Sequence, residues 1–258
     1  MALLRLERIN KRFGGLQALA SVDMTVEEGE IRGLIGPNGS GKTTLFNVVT
    51  GVFLPDGGSV HFNDTDVTRV PTHKLIQLGI ARTFQEVEVF PDLTVLENAM
   101  VGAHSASKTG VWDAVWGARR YAQEEGRIRS QAQANLQFVA LSESEEELAR
   151  NLPYGRLRML EIARALSSQP ALLLLDEPSA GMNRSESLDL MRLIARIRER
   201  GTTVLLIEHN MKMVMDVCDR ITVLNHGERI AEGKPQEIQA NEQVIEAYLG
   251  HRRGRRTK

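Results

Sequence analysis

Gly36-Pro37-Asn38-Gly39-Ser40-Gly41-Lys42-Thr43 places its glycines, a lysine and a hydroxyl at the G-x-x-x-x-G-K-[ST] spacing, directly after the strand-like segment Glu30–Ile35. Glycines let successive backbone N–H groups converge on phosphate oxygens, and the helix such a loop opens adds the positive end of its dipole. Lys42 then reaches the β- and γ-phosphates and the Thr43 hydroxyl faces Mg²⁺, which predicts nucleoside triphosphate bound along Gly36–Thr44. Further on, Leu172–Leu175 runs into Asp176 and Glu177, a buried strand ending in two carboxylates. Asp176 is placed to hold the Mg²⁺ shell, and Glu177 to polarise an attacking water as general base. Phosphoryl transfer to water also needs an aligned nucleophile and donors for the developing charge. Gln85, after Ala81-Arg82-Thr83-Phe84, offers an amide to Mg²⁺ or to the water; His209, after Leu205-Leu206-Ile207-Glu208, offers a donor to the γ-phosphate. The chemistry these residues spell is hydrolysis of a nucleoside triphosphate with Mg²⁺.

Such residues work only if strands and helices bring them together. Leu3–Ile9, Ser21–Val26 and Glu30–Ile35 read as strands, and Thr43–Thr50 as a helix. A turn at Pro55-Asp56-Gly57-Gly58 precedes a strand at Ser59–Phe62, a short helix at His73–Leu78 and a strand at Ile80–Phe84. From about Leu93 to Leu148 apolar positions recur at helical spacing, which predicts a helical insert. A strand in Ala171–Leu175, a helix at Glu186–Arg198, a strand at Thr203–Ile207, a helix at Met211–Val217 and a hairpin over Ile221–Glu232 turning at His226-Gly227 complete the pattern. Strands alternating with helices predict an α/β fold with a mainly parallel sheet.

Composition sets limits. With 258 residues, 42% of them hydrophobic, the chain can bury a sizeable core, and a formal net charge of -1 gives no electrostatic reason to expect nucleic acid. The single cysteine, Cys218, excludes an intrachain disulfide, and its apolar surroundings predict a buried side chain, not a catalytic thiol. Arg5 and Glu7 interrupt the amino terminus too early for a signal peptide, and the longest apolar run, Ala171–Leu175, is too short to cross a bilayer. Any membrane role is then expected through partners. The segment 251–258 clusters Arg252, Arg253, Arg255, Arg256 and Lys258 as a basic tail.

The ordered set Phe13, Gly36–Thr44, Gln85, Asn151–Arg156, Asp176-Glu177, Ser179–Asn183 and His209 resembles the ATP-binding subunits of ABC transporters over nearly the whole chain. That resemblance implies a P-loop NTPase core of ABC ATPase type, with an antiparallel β subdomain and a helical subdomain. It implies one nucleotide-binding domain over 1–250, with 1–92 and 158–250 as ATPase core and 93–157 as the helical subdomain. It assigns Phe13 to stacking on adenine, Gln85 to the loop linking ATP to a transmembrane partner, and His209 to the switch histidine. In the family a Leu-Ser-Gly-Gly-Gln signature contacts the ATP held by a second ATP-binding subunit, identical or homologous. Here the segment is Leu152-Pro153-Tyr154-Gly155-Arg156, so Pro153, Tyr154, Gly155 and Arg156 are expected to act in trans. Pro153 removes the serine hydroxyl and a backbone donor, and Arg156 could supply charge to the γ-phosphate instead.

The phrases RFGGLQAL, ARTFQ, LTVLENAMVGAH, LEIARAL and LLIEHNMKMVM, with Val244–Gly250, are similar to the branched-chain amino acid importers. That implies permease subunits as partners, indirectly a solute-binding protein, and a peripheral place on the cytoplasmic face of the plasma membrane. Urea or amide importers and a lipid exporter are related alternatives. A soluble ATPase of the same core would carry two cassettes or long coiled coils, neither of which the sequence has, and intact Glu177 and His209 argue against a non-hydrolysing regulatory binder.

Overall fold

In the computed structural model, which describes residues 1–106 and 118–253, β1 (Ala2–Phe13) and β2 (Leu16–Glu27) form a long antiparallel pair. Leu4, Leu6 and Ile9 of β1 are buried while Arg5 and Glu7 are not, the alternation of a sheet with one covered face. Adding β4 (Gly57–Phe62) and the short β5 (Thr65–Asp66) gives an antiparallel sheet of order β2-β1-β4-β5. Both long strands outrun the expected Leu3–Ile9 and Ser21–Val26. The ladder continues, with register shifts, through polar and glycine-flanked residues that carry no hydrophobic alternation.

The second sheet has the order β10-β9-β3-β8-β7-β6, formed by β3 (Ile31–Ile35), β6 (Ile80–Arg82), β7 (Leu172–Asp176), β8 (Thr203–Ile207), β9 (Arg220–Asn225) and β10 (Glu228–Gly233). All its pairings are parallel except β9 with β10. Every residue of β3, β7 and β8 is buried because both faces are covered, which explains the apolar runs of β7 and β8, while β3 carries a buried Arg32 paired with Glu30 and Glu232. Leu173, Leu175, Val204 and Leu206 pack on one face with the helical part of the molecule. Leu172, Leu174, Leu205 and Ile207 pack on the other, against the antiparallel sheet. The expected strand Ile80–Phe84 stops at Arg82. After Thr83 N–H donates to Leu174 O the backbone leaves the ladder, and Phe84 N–H donates instead to the Glu161 carboxylate at 2.9 Å.

Helix α1 (Lys42–Val49) follows β3, and α2 (Thr72–Leu78) precedes β6. Next come α3 (Val95–Ala106), α4 (Ala118–Phe138) and α5 (Tyr154–Ser167), which pack on one another. Helix α5 begins directly after Pro153, whose φ of -58° and ψ of 153° have the geometry of a helix cap. It runs past residue 157 into the core, so the helical part and the sheet share it. Helix α6 (Arg184–Glu199) starts with a reciprocal cap: Asn183 accepts from the Ser185 and Glu186 N–H groups, and Glu186 accepts from Asn183 N–H. After α7 (Met211–Val217), the chain ends in α8 (Pro235–Gln239) and α9 (Glu242–Arg253), which apolar spacing had not revealed. The expected basic tail lies, from residue 254, outside the described residues. Cys218 is buried, and burial pushes its thiol up to about 12. No helix among the described residues is long and apolar enough to cross a membrane.

Candidate functional site

The loop after β3 is shaped by glycines that no other residue could replace. Gly36 has φ 153°, and a Cβ there would collide with the Leu224 carbonyl. Gly41 has φ 103°, and a Cβ there would lie 2.6 Å from Ala18 O of β2. The loop is therefore seated against both sheets: the Gly227 N–H of the β9–β10 turn donates to Ser40 O, and Ala20 N–H donates to Gly227 O. Helix α1 has no side-chain cap, so its first-turn N–H groups are left to face an anion. Lys42, almost fully buried, donates to the Gly36 and Pro37 carbonyls at 2.9 and 3.0 Å, folded back over the loop. Burial lowers its pKa, and the carboxylates of Glu177 and Asp176 oppose that shift. Thr43 and Asn38 are exposed at the mouth, and Thr44 is half-buried.

Around this loop stand the ends of neighbouring parallel strands. Asp176 closes β7, Glu177 follows it, His209 follows β8 by two residues and Gln85 follows β6 by three. Glu177 Oε1 is 2.7 Å from His209 Nε2, and its Oε2 accepts from Gln85 Nε2 at 3.4 Å. The Glu177 backbone has φ 47°, a left-handed conformation that costs a non-glycine residue about 1 kcal/mol. Its N–H donates to Ile207 O, which fixes the end of β7 to the end of β8. Glu208, buried at the end of β8, accepts from the Ser179, His209 and Asn210 N–H groups and organises the turns on both sides.

Two charged elements of the site were not singled out by sequence reasoning. Arg82 on β6 donates to Asp176 Oδ2 at 2.7 Å and to Asn47 Oδ1 at 2.6 Å, holding the carboxylate toward α1. Burial raises the Asp176 pKa, against the lowering effect of Arg82, and its Oδ1 is buried without a hydrogen-bond partner. The signal was available: an arginine inside an apolar strand needs an acidic partner, and a strand-end aspartate is the natural one. The second element is the buried pair Arg158–Glu161 on α5, whose hydrogen bonds reach the backbone of Phe84 and Gln85. Opposite charges three residues apart on an otherwise apolar helix face were its signal.

The remaining candidates lie apart from this cluster. Phe13, at the end of β1, is 42% exposed, with its ring edge-on to Phe53 at 5.2 Å and Lys11 Nζ 5.5 Å away. It is therefore not a core residue. Pro153 and Tyr154 are exposed at the start of α5, and a Cβ at Gly181 would lie 3.0 Å from the Tyr154 ring. Gly155 is buried, and Arg156 lines a groove between α5 and α6 beside Met159 and Glu186. A separate groove of about 300 Å³ beside Gln85 is walled by Ile76, Phe84, Glu88, Phe90 and Arg164. Val95 and Leu96, at the start of α3, point away from it into the core.

Two family models match the chain: one described as ABC transporter over residues 19–180, the other as branched-chain amino acid ATP-binding cassette transporter over residues 228–253. The high-affinity branched-chain amino acid transport ATP-binding protein LivG of Salmonella typhimurium is 43% identical over 249 residues, 96% of this chain and 98% of that protein. Among solved structures, the ADP conformation of an ATP-binding cassette of an ABC transporter superposes with a TM-score of 0.85 at 33% identity, covering 97% of this chain and 99% of that one. A dimeric cassette in a post-hydrolysis state, bound to ADP and Pi, gives 0.76 at 25% identity over 90% of this chain and 98% of its own.

Proposed function

The chain belongs to the ABC transporter family, a nucleotide-binding ATPase cassette, and from that premise we propose that it drives uptake of branched-chain amino acids by binding and hydrolysing ATP. The observation that carries this reading is the convergence of Lys42, Asp176, Glu177, His209 and Gln85 at the carboxyl ends of adjacent parallel strands, where such sheets bind ligands. Phe13 takes the adenine; Gly36, Pro37, Asn38, Gly39, Ser40, Gly41, Lys42, Thr43 and Thr44 take the phosphates. On binding, Lys42 exchanges the carbonyls of Gly36 and Pro37 for phosphate oxygens. Glu177 accepts a proton from the attacking water, and His209 and Gln85 orient the groups around it.

Thr43, Gln85 and Asp176 hold Mg²⁺, which supplies charge neutralisation at the phosphates when bound. The unpartnered Oδ1 of Asp176 fits a hydrated cation. Among the described residues no cluster of three or more acidic, histidine or cysteine side chains could hold a metal. Pro153, Tyr154, Gly155 and Arg156 complete the site of a second ATP-binding subunit, as the dimeric relative suggests. The groove beside Gln85, with apolar Phe84 and Phe90 next to charged Glu88 and Arg164, receives a helix of a permease on the cytoplasmic face of the membrane. The likeness to LivG and the match over residues 228–253 favour branched-chain amino acids over urea, amides or lipid.

The test is ATP-driven uptake of leucine into vesicles holding the complex with its permease subunits, run beside Glu177→Gln. That variant is expected to bind MgATP normally and to lose at least about a hundredfold in hydrolysis and uptake together. Equal turnover would refute the role of Glu177; turnover without leucine uptake would refute the cargo.

A further inference from the structure

A hydrogen-bonded path leaves the amino terminus of α5 and ends on Glu177, passing through an ion pair hidden from solvent. Arg158 and Glu161, 0% and 1% exposed, meet at 2.8 Å. A buried pair is tolerated when hydrogen bonds compensate its lost hydration; here Arg158 Nε is left without a partner, while both Nη atoms and Glu161 Oε1 are engaged by one short stretch of backbone. Arg158 Nη1 donates to Phe84 O at 2.7 Å, Arg158 Nη2 donates to Gln85 O at 2.7 Å, and Glu161 Oε1 accepts from Phe84 N–H at 2.9 Å. The Phe84 ring is 38% exposed, so apolar burial does little to anchor this segment. The place of Gln85 is set largely by α5. From Gln85 the path continues through its amide to Glu177 Oε2, and Glu177 Oε1 meets His209.

At its other end the path reaches the surface. Arg158 Nη2, which holds Gln85 O, also donates to the Tyr154 hydroxyl at 3.1 Å. Tyr154 is 44% exposed, with its ring against Gly181. We propose that Arg158 is a positioning residue that sets Gln85 against Glu177, and that the Tyr154 hydroxyl makes this setting respond to whatever touches the start of α5. One guanidinium arm serves both oxygens, so a displaced Tyr154 reorients Arg158, and the Gln85 carbonyl moves with it. If the start of α5 meets the nucleotide of a second subunit, as the proposed function holds, each site then senses the engagement of the other. Lysine cannot reproduce the two-armed grip.

The experiment compares wild type, Arg158→Lys, Tyr154→Phe and the double variant, measuring kcat in the assembled complex and MgATP Kd on the isolated chain. Arg158→Lys is expected to keep Kd within roughly twofold while kcat falls at least about tenfold, the signature of misplaced chemistry with intact binding. Tyr154→Phe removes one hydroxyl from an exposed ring, leaves the core intact, and is expected to lower kcat about threefold at unchanged Kd. The double variant should be no slower than Arg158→Lys, because residues on one path do not add. Additive losses, a wild-type kcat in Tyr154→Phe, or a Kd that rises in step with the fall in kcat would overturn the proposal. A wild-type complex unable to hydrolyse ATP would overturn the proposed function as well; normal wild-type turnover with any of the former results overturns this inference alone.

Discussion

Asp176, the carboxylate proposed to hold the cation, stands where burial favours its neutral form. Because burial raises its pKa, a proton competes with the cation at higher pH than for an ordinary aspartate. The Mg²⁺ concentration needed for half-maximal ATPase is therefore expected to climb as pH falls, starting at a higher pH than an ordinary aspartate would set. A Mg²⁺ requirement that did not change with pH would remove Asp176 from the cation's shell. At this scale the sequence was a strong guide wherever chemistry demands rare residue combinations, as in Gly36–Thr44 or Asp176-Glu177. It was a weak guide to the residues that aim them. Arg82 and Arg158 act through partners 94 and 73 residues away, Asp176 and the Gln85 carbonyl, and nothing local in the sequence names those partners.

Among elements, α5 has the most room for improvement. Its amino terminus has no side-chain cap, since Pro153 stands at the cap position with a compatible φ but no oxygen to offer. Pro153→Ser supplies that oxygen, a change of about 1 kcal/mol in helix stability, or a rise of roughly 2–4 °C in Tm for a chain of this size. If the segment also works in trans, the ATPase rate of the assembled complex should rise with it; a higher Tm at constant rate would leave Pro153 a structural residue only. Strands β7 and β8 were legible because double burial writes a nearly unbroken apolar run. The outer halves of β1 and β2 were not, because they are held by ladder bonds that leave no periodic trace.

The whole molecule is two cores on opposite faces of one sheet, and the helical part joins the core at Phe138 as well as through α5. That buried ring, at the end of α4, lies 4.4 Å from the Arg196 guanidinium and 3.4 Å from that of Arg200, both at the end of α6 or just beyond it. Phe138→Ala is expected to cost about 3 kcal/mol and lower Tm by roughly 6–12 °C. MgATP affinity of the isolated chain should stay unchanged, since the phosphate loop is seated between the two sheets; a loss of affinity in proportion would show the two regions to be one cooperative unit. Stability also bears on the left-handed backbone at Glu177. A long side chain is kept there in a conformation that asparagine or glycine would adopt more readily, so the fold is less stable for having a glutamate at that position. Breeding this protein for heat resistance alone would therefore favour discarding the residue proposed as its general base, and only a screen that also demands turnover would keep it.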